Sequence, residues 1–360
     1  MVSEAQVVDA LRGVTDPSVN RDIVSTKFVK DVRIDGGRVS FTVEQALHGA
    51  SSRQLVGESA GAAVKKIPGV ASVEVTMTAK VRPAVLADLS KQPVPGVKNT
   101  IAVGAGKGGV GKTTVSVNLA IALSQAGARV AMIDGDVYGP NVPIMLGIQT
   151  ELGTDGQRIV PAVQYGIQLI SMAFLTKDDT PVIWRGPMLH GVIQQFFREA
   201  AWDDVDYLIV DLPPGTGDVA LSLSQNIPVA GAVLVTTPQK VSVADTRRAV
   251  RMYEKLNVTP LGLIENMSYF VCPTCRTESD IFGKGGGELL ATDMHVPFLG
   301  QVPIYEPIRV GGDTGVPIVV GEPKSPAAQA FRAAAEQLAT QIAVLSLKTG
   351  PKAIPLTQVR

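Results

Sequence analysis

The sequence predicts an α/β fold in which helices flank a mostly parallel sheet, with a small α+β domain ahead of it. From Thr100 onward, short apolar runs alternate with longer runs at helical spacing, which is the pattern of βα units. Residues 1–81 instead combine two helical stretches with three short strands. Residues 82–99 contain three prolines without any periodicity, which predicts a linker. We therefore expect a small domain at 1–81, a linker at 82–99, a main domain at 100–347 and a tail at 348–360.

In the small domain, glycine and proline mark the ends of the expected elements. Asp35-Gly36-Gly37 supplies a tight turn between two strands, and Pro68-Gly69 separates a helix from a third strand. The expected elements are a helix at 3–11, strands at 28–34 and 38–43, a helix at 51–67 and a strand at 72–77.

In the main domain, near-continuous runs of β-branched and other apolar residues predict strands that are buried on both faces. Pro326 follows Ser325, which suits the first turn of a final helix that reaches about Leu347. The expected strands are 100–104, 129–133, 167–171, 207–210, 231–236, 261–265 and 298–302.

Composition and charge exclude several classes of protein. Hydrophobic residues make up 45% and charged residues 18% of the 360 residues, which fits a folded α/β enzyme and not a disordered chain. Lys plus Arg equals Asp plus Glu at 33 each, without a basic stripe, which argues against binding to nucleic acid or to a membrane. No apolar run reaches the roughly 18 residues of a membrane span, so we expect a cytoplasmic protein. The two cysteines exclude a secreted disulfide framework.

The most specific motif is the glycine-rich loop GKGGVGKT, which lies between an expected strand and an expected helix. Its glycines leave room for backbone N–H groups to surround phosphate oxygens, and Lys112 can reach the β- and γ-phosphates. The Thr113 hydroxyl can bind Mg²⁺, and the helix that begins there directs its positive end at the nucleotide. We therefore predict a P-loop NTPase that binds ATP and Mg²⁺. The residues expected to contact the nucleotide are Gly106, Lys107, Gly108, Gly109, Val110, Gly111, Lys112, Thr113 and Thr114.

Three acidic residues stand at the ends of expected strands. Asp211 ends the apolar run at 207–210, where a carboxylate can hold the water shell of Mg²⁺. Asp134 and Asp136 follow the strand at 129–133, where a carboxylate can orient the attacking water or bind the metal's outer shell. We predict that Asp211 joins Thr113 at the magnesium ion, and that Asp134 and Asp136 are catalytic.

Lys107 is an additional lysine within the loop, and the pattern Lys-Gly-Gly-x-Gly-Lys-Thr resembles the deviant Walker A motif of the MinD/ParA and nitrogenase-iron-protein class. In that class, the additional lysine reaches the nucleotide of the partner subunit. The resemblance implies that Lys107 is catalytic in trans, as an arginine finger is, beside Lys112 acting in its own subunit. It also implies a homodimer.

Four further strings in the main domain are distinctive: DGDVYGPNVP from Asp134, WRGPM from Trp184, DLPPGTGD from Asp211 and ENMSYFVCPTC from Glu265. Through these strings the sequence resembles, within that class, the Mrp/ApbC iron–sulfur carrier ATPases from residue 100 to about 345. The resemblance implies that Asn266 reads adenine through its side-chain amide.

The stretch at 1–81 contains the motifs Leu11-Arg-Gly-Val-x-Asp-Pro and Ile67-Pro-Gly-Val. Through them it resembles the small iron–sulfur-assembly domain that is often fused ahead of Mrp. That domain commonly carries a cysteine after its second strand. The corresponding stretch here, Leu47–Ser52, contains no cysteine.

Cys272 and Cys275 form a Cys-x-x-Cys pair. Alone, such a pair suits a redox dithiol, half of a zinc site or half of a cluster site. Two thiolates cannot close a tetrahedral metal site, but two copies across a dimer axis supply four, enough for a [4Fe–4S] cluster or a zinc ion. The Mrp/ApbC resemblance implies the cluster.

These features predict a slow, homodimeric ATPase that carries a bridging [4Fe–4S] cluster to apoproteins. A positioning or partitioning switch of the MinD/ParA kind is an alternative, which requires a basic amphipathic C-terminal helix or a basic patch. A cluster-based, ATP-driven electron donor is a further alternative that needs the same ligands. The segment FGKGGGE from Phe282 lacks the Gly-Lys-Ser/Thr ending of a phosphate loop, so a flexible loop beside the cysteines is the favoured interpretation.

Overall fold

The computed structural model describes residues 2–84, 91–136, 139–149, 152–175, 186–215, 227–272, 274–275 and 277–348, with the backbone alone for 186–190. The chain divides into two compact units. One holds the residues up to Ala84 and those from Ala339 on, and the other holds Val85–Leu338. The division thus places the end of the last helix with the N-terminal elements, whereas the sequence suggests a main domain that runs to 347.

The first unit combines helices with a three-stranded sheet. Its N-terminal elements are α1 (Glu4–Leu11), β1 (Thr15–Asp16), β2 (Arg21–Asp22), β3 (Val29–Asp35), β4 (Arg38–Gln45), α2 (Arg53–Lys65) and β5 (Ser72–Ala79). β4 pairs antiparallel with β3 and parallel with β5. Every second residue of β4 is buried, and the apolar Val39, Phe41 and Val43 among them alternate with polar residues. Ser3 begins α1 with a capping box, in which its side chain accepts from the Gln6 N–H while Gln6 accepts from the Ser3 N–H.

A buried carboxylate holds together the first unit at the end of β4. Asp16 is fully buried and accepts hydrogen bonds from Gln45 Nε2 at 2.9 Å and from Ser52 Oγ at 3.1 Å. The Ser18 N–H donates to the same carboxylate at 2.9 Å. These bonds offset the cost of burying the carboxylate. Ser52 ends the cysteine-free stretch Leu47–Ser52, so this stretch contributes to packing within the unit.

The second unit is built on a sheet of eight described strands. Its elements in chain order are β6 (Val97–Ala105), α3 (Lys112–Gln125), β7 (Val130–Asp134), α4 (Val142–Leu146), β8 (Gly153–Thr154), β9 (Ile159–Val160), β10 (Ala162–Gln164), β11 (Ile167–Ser171), α5 (Gly186–Arg198), β12 (Val205–Asp211), β13 (Val229–Thr236), α6 (Lys240–Lys255), β14 (Pro260–Glu265), β15 (Phe270–Val271), β16 (Glu278–Ser279), α7 (Gly286–Met294), β17 (Phe298–Gln301), α8 (Glu306–Thr314), α9 (Ile318–Gly321) and α10 (Pro326–Lys348), the last of which continues into the first unit.

The large sheet is parallel except at one edge. Its strand order is β10-β11-β7-β12-β6-β13-β14-β17, and only the β10–β11 pair among these described strands is antiparallel. The central strands are buried along nearly their whole length, because their sequences are continuously apolar. This topology confirms the predicted α/β class. Within the described residues, no helix combines the length and the apolar character that a membrane span requires.

The first strand of the large sheet starts earlier than the sequence indicates. β6 begins at Val97, inside the stretch that the sequence assigns to the linker, because Val97 pairs with Val205 of β12. Its next two residues are polar and mask the strand pattern, yet both contact the neighbouring strand. Lys98 Nζ lies 2.7 Å from an Asp206 carboxylate oxygen, and Asn99 Nδ2 donates to the Asp206 carbonyl at 3.1 Å.

The parallel topology brings the functional residues to one edge of the sheet. Asp134, Asp211 and Glu265 are the last residues of β7, β12 and β14. The phosphate loop follows the end of β6, between β12 and β13 in the sheet. Because all these strands point the same way, their carboxyl ends meet where parallel α/β sheets bind ligands.

Candidate nucleotide site and cysteine pair

The phosphate loop connects β6 to α3 and requires glycine at its two ends. Gly111 has a φ of 79°, in the left-handed region, and a Cβ there would also meet Asn266 Nδ2. A Cβ on Gly106 would meet the backbone of Asp245 in α6. Any larger residue would therefore displace the loop from the helix and the strand end that hold it. The loop leads directly into α3, whose first N–H groups are suited to an anion.

A buried ion pair stands at the base of the loop. Lys112 Nζ lies 2.7 Å from Asp211 Oδ2, and the two side chains are 7% and 0% exposed. Thr113 Oγ1 donates to the same oxygen at 2.8 Å, and Ser116 Oγ donates to Oδ1 at 2.6 Å. Three side chains of α3 thus orient one carboxylate. The Thr113 hydroxyl and the Asp211 carboxylate are hard oxygen donors, which are the ligands that Mg²⁺ prefers.

A cavity of about 210 Å³ lies over the phosphate loop. Its walls are the loop from Lys107 to Thr114 together with Asp136 and Pro214. Lys107 is exposed, and its side chain makes no hydrogen bond or ion pair with any residue in the described ranges. The cavity therefore combines backbone donors, one buried lysine and one exposed lysine, a set that suits phosphate groups.

Asp134, the last residue of β7, is fully buried. It accepts hydrogen bonds from the Val142 N–H at 3.1 Å and from Ser171 Oγ at 3.0 Å, while the Asp136 N–H lies 3.3 Å from its other oxygen. Burial, and then the charge of Asp211, raise the pKa of Asp134 to about 7. Asp136 lines the cavity. The two acidic residues thus differ in place, with Asp136 at the cavity wall and Asp134 supporting the turn behind it.

A larger cavity of about 490 Å³ adjoins the first, and Gly111, Thr113 and Thr114 line both. Asn266 also lines it, and its Nδ2 donates to the Val110 carbonyl of the phosphate loop at 2.9 Å. The volume and the mainly apolar walls suit a nucleoside. The apolar side chains in these walls are Ile144, Met145, Met267, Phe282, Pro303, Ile304 and Ile308.

Cys272 and Cys275 lie on a short hairpin formed by β15 and β16. The Cys272 N–H donates to the Thr277 carbonyl at 3.1 Å, which continues the hairpin pairing. Cys272 is half-buried and Cys275 is exposed, and Cys275 Sγ lies 3.2 Å from Thr277 Oγ1. In the part of the chain that the structure describes, no group of three or more His, Cys, Asp or Glu side chains is placed to hold a metal ion.

Cys275 is expected to react as a thiolate near neutral pH. Hydrogen bonds from Thr277, first from its hydroxyl, and then from Cys272 lower the pKa of Cys275 to about 7. Because the thiolate is the nucleophile, the rate of alkylation by iodoacetamide should rise through a midpoint near that pH. In a Cys272→Ser background, which leaves one thiol, Thr277→Val should move the midpoint toward about 8.5. Thr274→Val should leave it in place, and equal midpoints for both valine variants would contradict this account.

The second glycine-rich loop is held by an internal carboxylate. Glu265 is fully buried and accepts hydrogen bonds from the Gly285 N–H at 2.8 Å and the Gly287 N–H at 2.5 Å. Ser268 Oγ donates to it at 2.5 Å. The carboxylate thus occupies the N-terminus of α7, the position that a phosphate takes in a phosphate loop. The sequence favours a flexible loop here, whereas the structure shows one bonded to the end of β14.

Three residues of this region, Ser116, Glu265 and Phe282, were not among the site residues predicted from the sequence. Ser116 could have been found, because it lies one helical turn after Lys112 and Thr113 on the same face of α3. Glu265 and Phe282 carry no such local signal, since their partners are distant in sequence. Two of the strings that carry the resemblance lie partly outside the described residues. In WRGPM, Trp184 and Arg185 are not described and 186–188 are described by their backbone alone, and in DLPPGTGD the residues 216–218 are not described.

The fold and this site together define a P-loop NTPase, with a parallel sheet, a glycine-rich loop leading into a helix, and an additional lysine in the loop. A family model described as NUBPL iron-transfer P-loop NTPase matches residues 96–339, and a model described as iron-sulfur cluster assembly protein matches residues 4–76. The chain belongs to the family of NUBPL-like iron-transfer P-loop NTPases that includes the proteins named iron–sulfur cluster carrier protein. This confirms the resemblance inferred from the sequence.

Individual relatives agree with the family match. The iron–sulfur cluster carrier protein of Synechocystis sp. is 46% identical over 96% of this chain and 100% of its own length. The nucleotide-binding protein of Archaeoglobus fulgidus, solved with ADP, is 34% identical with a TM-score of 0.56, covering 64% of this chain and 91% of its own. The cell division ATPase MinD of Pyrococcus furiosus is 25% identical with a TM-score of 0.50, covering 66% and 97%.

Proposed function

We propose that this chain is a homodimeric ATPase that binds a [4Fe–4S] cluster between its two subunits and delivers the cluster to apoproteins. The observation that carries the proposal is the pair Cys272 and Cys275 on one short hairpin, the first half-buried and the second exposed. This pair supplies half of the four thiolates that such a cluster needs. Because the chain has only two cysteines, a second copy is the simplest source of the other half.

The nucleotide site supports binding and hydrolysis of ATP with Mg²⁺. The phosphates fit the cavity over the loop, where Lys112 and the first N–H groups of α3 stabilise negative charge. The magnesium ion, when bound by Thr113 and Asp211, neutralises charge on the phosphates. In this proposal Asp136, which lines the cavity, orients the attacking water, and Asp134, which accepts from the Asp136 N–H, positions it. Asn266 binds adenine, a role supported by its contact with the loop and its position in the wall of the larger cavity.

The exposed position of Lys107 supports a shared active site. Its ammonium group has no partner among the described residues of its own chain, and Lys107 lines a cavity that Lys112 also lines. A second subunit docked on this face would receive that charge at its own nucleotide, where phosphoryl transfer spreads negative charge. Without that contribution hydrolysis should be slow. We place the protein in the cytoplasm, whose reducing thiol pool keeps Cys272 and Cys275 unoxidised.

Anaerobic reconstitution with iron and sulfide tests the proposed function. The expected product contains about four iron atoms per dimer, because four thiolates hold one cluster. Cys272→Ser with Cys275→Ser should bind none, while Thr274→Val, between the two cysteines, should bind the full amount. Full iron retention in the double serine variant would refute the proposal, and so would stoichiometric zinc in anaerobically purified protein that takes up no iron.

Transfer of a labelled cluster to an apo-ferredoxin separates the carrier from an electron donor. A carrier should move both iron and sulfide to the acceptor, whereas a donor should keep its cluster and pass only electrons. Iron that stays with this protein while a redox acceptor is reduced would favour the donor.

A further inference from the structure

The two cysteines lie on a segment that starts and ends in the wall of the larger cavity. We call residues 267–282 the cysteine excursion. Its first residue, Met267, and its last residue, Phe282, both line that cavity. Met267 has a φ of 55°, in the left-handed region that non-glycine residues seldom adopt, and this bend directs the chain away from β14. The chain that bears the two thiols thus leaves the cavity wall at Met267 and returns to it at Phe282.

Backbone hydrogen bonds fasten the cysteine excursion to the same wall. The Ile304 N–H donates to the Tyr269 carbonyl at 2.6 Å, and Ile304 itself lines the cavity. The Ser268 N–H donates to the Val302 carbonyl at 3.0 Å. The residues that lead to β15 and Cys272 are therefore hydrogen-bonded to the segment that contributes Ile304 to the cavity wall.

Lys284 and Glu265 fix the return of the cysteine excursion. Lys284 Nζ lies 3.2 Å from a Glu278 carboxylate oxygen and 4.5 Å from the centre of the Tyr269 ring, so it joins both sides of the hairpin base. Glu265 holds Gly285 and Gly287, just after Phe282, while the next residue in the chain, Asn266, holds the phosphate loop. Between these anchors Phe282 lines the cavity and remains 43% exposed.

We propose that Phe282 packs against the nucleoside of the bound nucleotide and thereby couples nucleotide occupancy to the exposure of Cys272 and Cys275. The inference rests on the proposed nucleotide site. A nucleoside in the cavity gives the aromatic ring a partner and orders the wall from both ends of the cysteine excursion. Ordering one end of a short hairpin restricts the other, because the backbone bonds at Tyr269 and Cys272 connect them. Nucleotide binding therefore shields the thiols.

The test measures two quantities separately on the metal-free, full-length protein. Equilibrium dialysis with Mg-ADP gives the affinity, and alkylation at one fixed pH, with and without saturating Mg-ADP, gives the reactivity of the thiols. In the unmodified protein we expect ADP to slow alkylation by about threefold, as a shift in the population of exposed thiols. Phe282→Ala should bind ADP about fivefold more weakly, through loss of aromatic packing, and should lose the slowing at saturation. Phe282→Tyr should keep it.

Ile281→Ala is the matched control, because Ile281 is adjacent, 56% exposed and absent from the cavity wall. It should respond to ADP as the unmodified protein does. If the unmodified protein does not bind ADP, the proposed function fails. If it binds ADP without any change in alkylation, or if Phe282→Ala keeps the full slowing, the coupling is wrong and the proposed function stands. If Phe282→Ala does not fold, Phe282→Leu replaces it in the same comparison. ADP should then slow alkylation only partially, and a slowing as large as in the unmodified protein would overturn the inference.

Discussion

Lys107→Ala is expected to lower the rate of ATP hydrolysis by about 10³-fold while leaving the affinity for ATP nearly unchanged. The lysine is exposed and bonds to none of the described residues of its own chain, so its removal should disturb neither the loop nor the fold. What is lost is charge stabilisation of the transition state in the partner's site. Lys112→Ala should instead abolish binding, because Lys112 belongs to the buried base of the loop. Steady-state hydrolysis together with equilibrium binding separates the two effects.

Mixed dimers decide whether Lys107 acts within its own subunit or on its partner. In a dimer of one Lys107→Ala subunit and one Lys112→Ala subunit, the first keeps a complete phosphate loop base and receives Lys107 from the second. One of the two sites is then whole, and mixing the two inactive variants should restore hydrolysis. Mixing each variant with itself is the control. No recovery in the mixture, with dimers present by sedimentation, would place Lys107 in its own subunit's site.

Asp211→Ala is expected to lower the free energy of unfolding by about 3 kcal/mol, because it leaves the buried ammonium group of Lys112 without its carboxylate partner. Lys112 and Asp211 are 7% and 0% exposed, and Asp211 also accepts from Thr113 and Ser116. The Lys112→Met, Asp211→Ala double variant should lose less stability than the sum of the single variants, with a coupling of at least about 1 kcal/mol. None of the three variants should bind Mg-ATP.

The exposed pair Arg247 and Asp293 is the matched control for that cycle. Arg247 Nη2 and Asp293 Oδ2 are 2.9 Å apart, and the two side chains are 38% and 60% exposed. Both residues belong to the same compact unit as Lys112 and Asp211. Solvent screening should reduce its coupling to about 0.5 kcal/mol or less. Urea unfolding followed by a probe in the second unit measures both cycles. Equal coupling in the two pairs would contradict the view that burial makes the Lys112–Asp211 pair strong.

The sequence predicted the elements whose causes are local. The phosphate loop, the apolar strands that end at Asp134 and Asp211, and the helix from Pro326 all have signals within a few neighbouring residues, and the structure has them at or near those positions. The start of β6 was misplaced because its polar residues Lys98 and Asn99 are explained only by their partners in β12.

The features that the sequence missed depend on contacts between distant parts of the chain. Nothing near Phe282 shows that it lines a cavity to which α4, α8 and the start of α3 also contribute. In the same way, the pattern FGKGGGE indicates a flexible loop, while Glu265, at the end of β14, holds that loop through two hydrogen bonds. Such contacts follow from topology, which single residues and their spacing do not contain.

Glu265 also bears on how many nucleotides one chain can hold. The sheet edge presents two glycine-rich turns that each open a helix, α3 and α7, and such turns are suited to anions. At α7 the anion is already part of the protein, buried and bonded to two backbone N–H groups. Of these two turns, only the one before α3 can therefore bind a phosphate group. The expected stoichiometry is thus one nucleotide per subunit, two in a dimer.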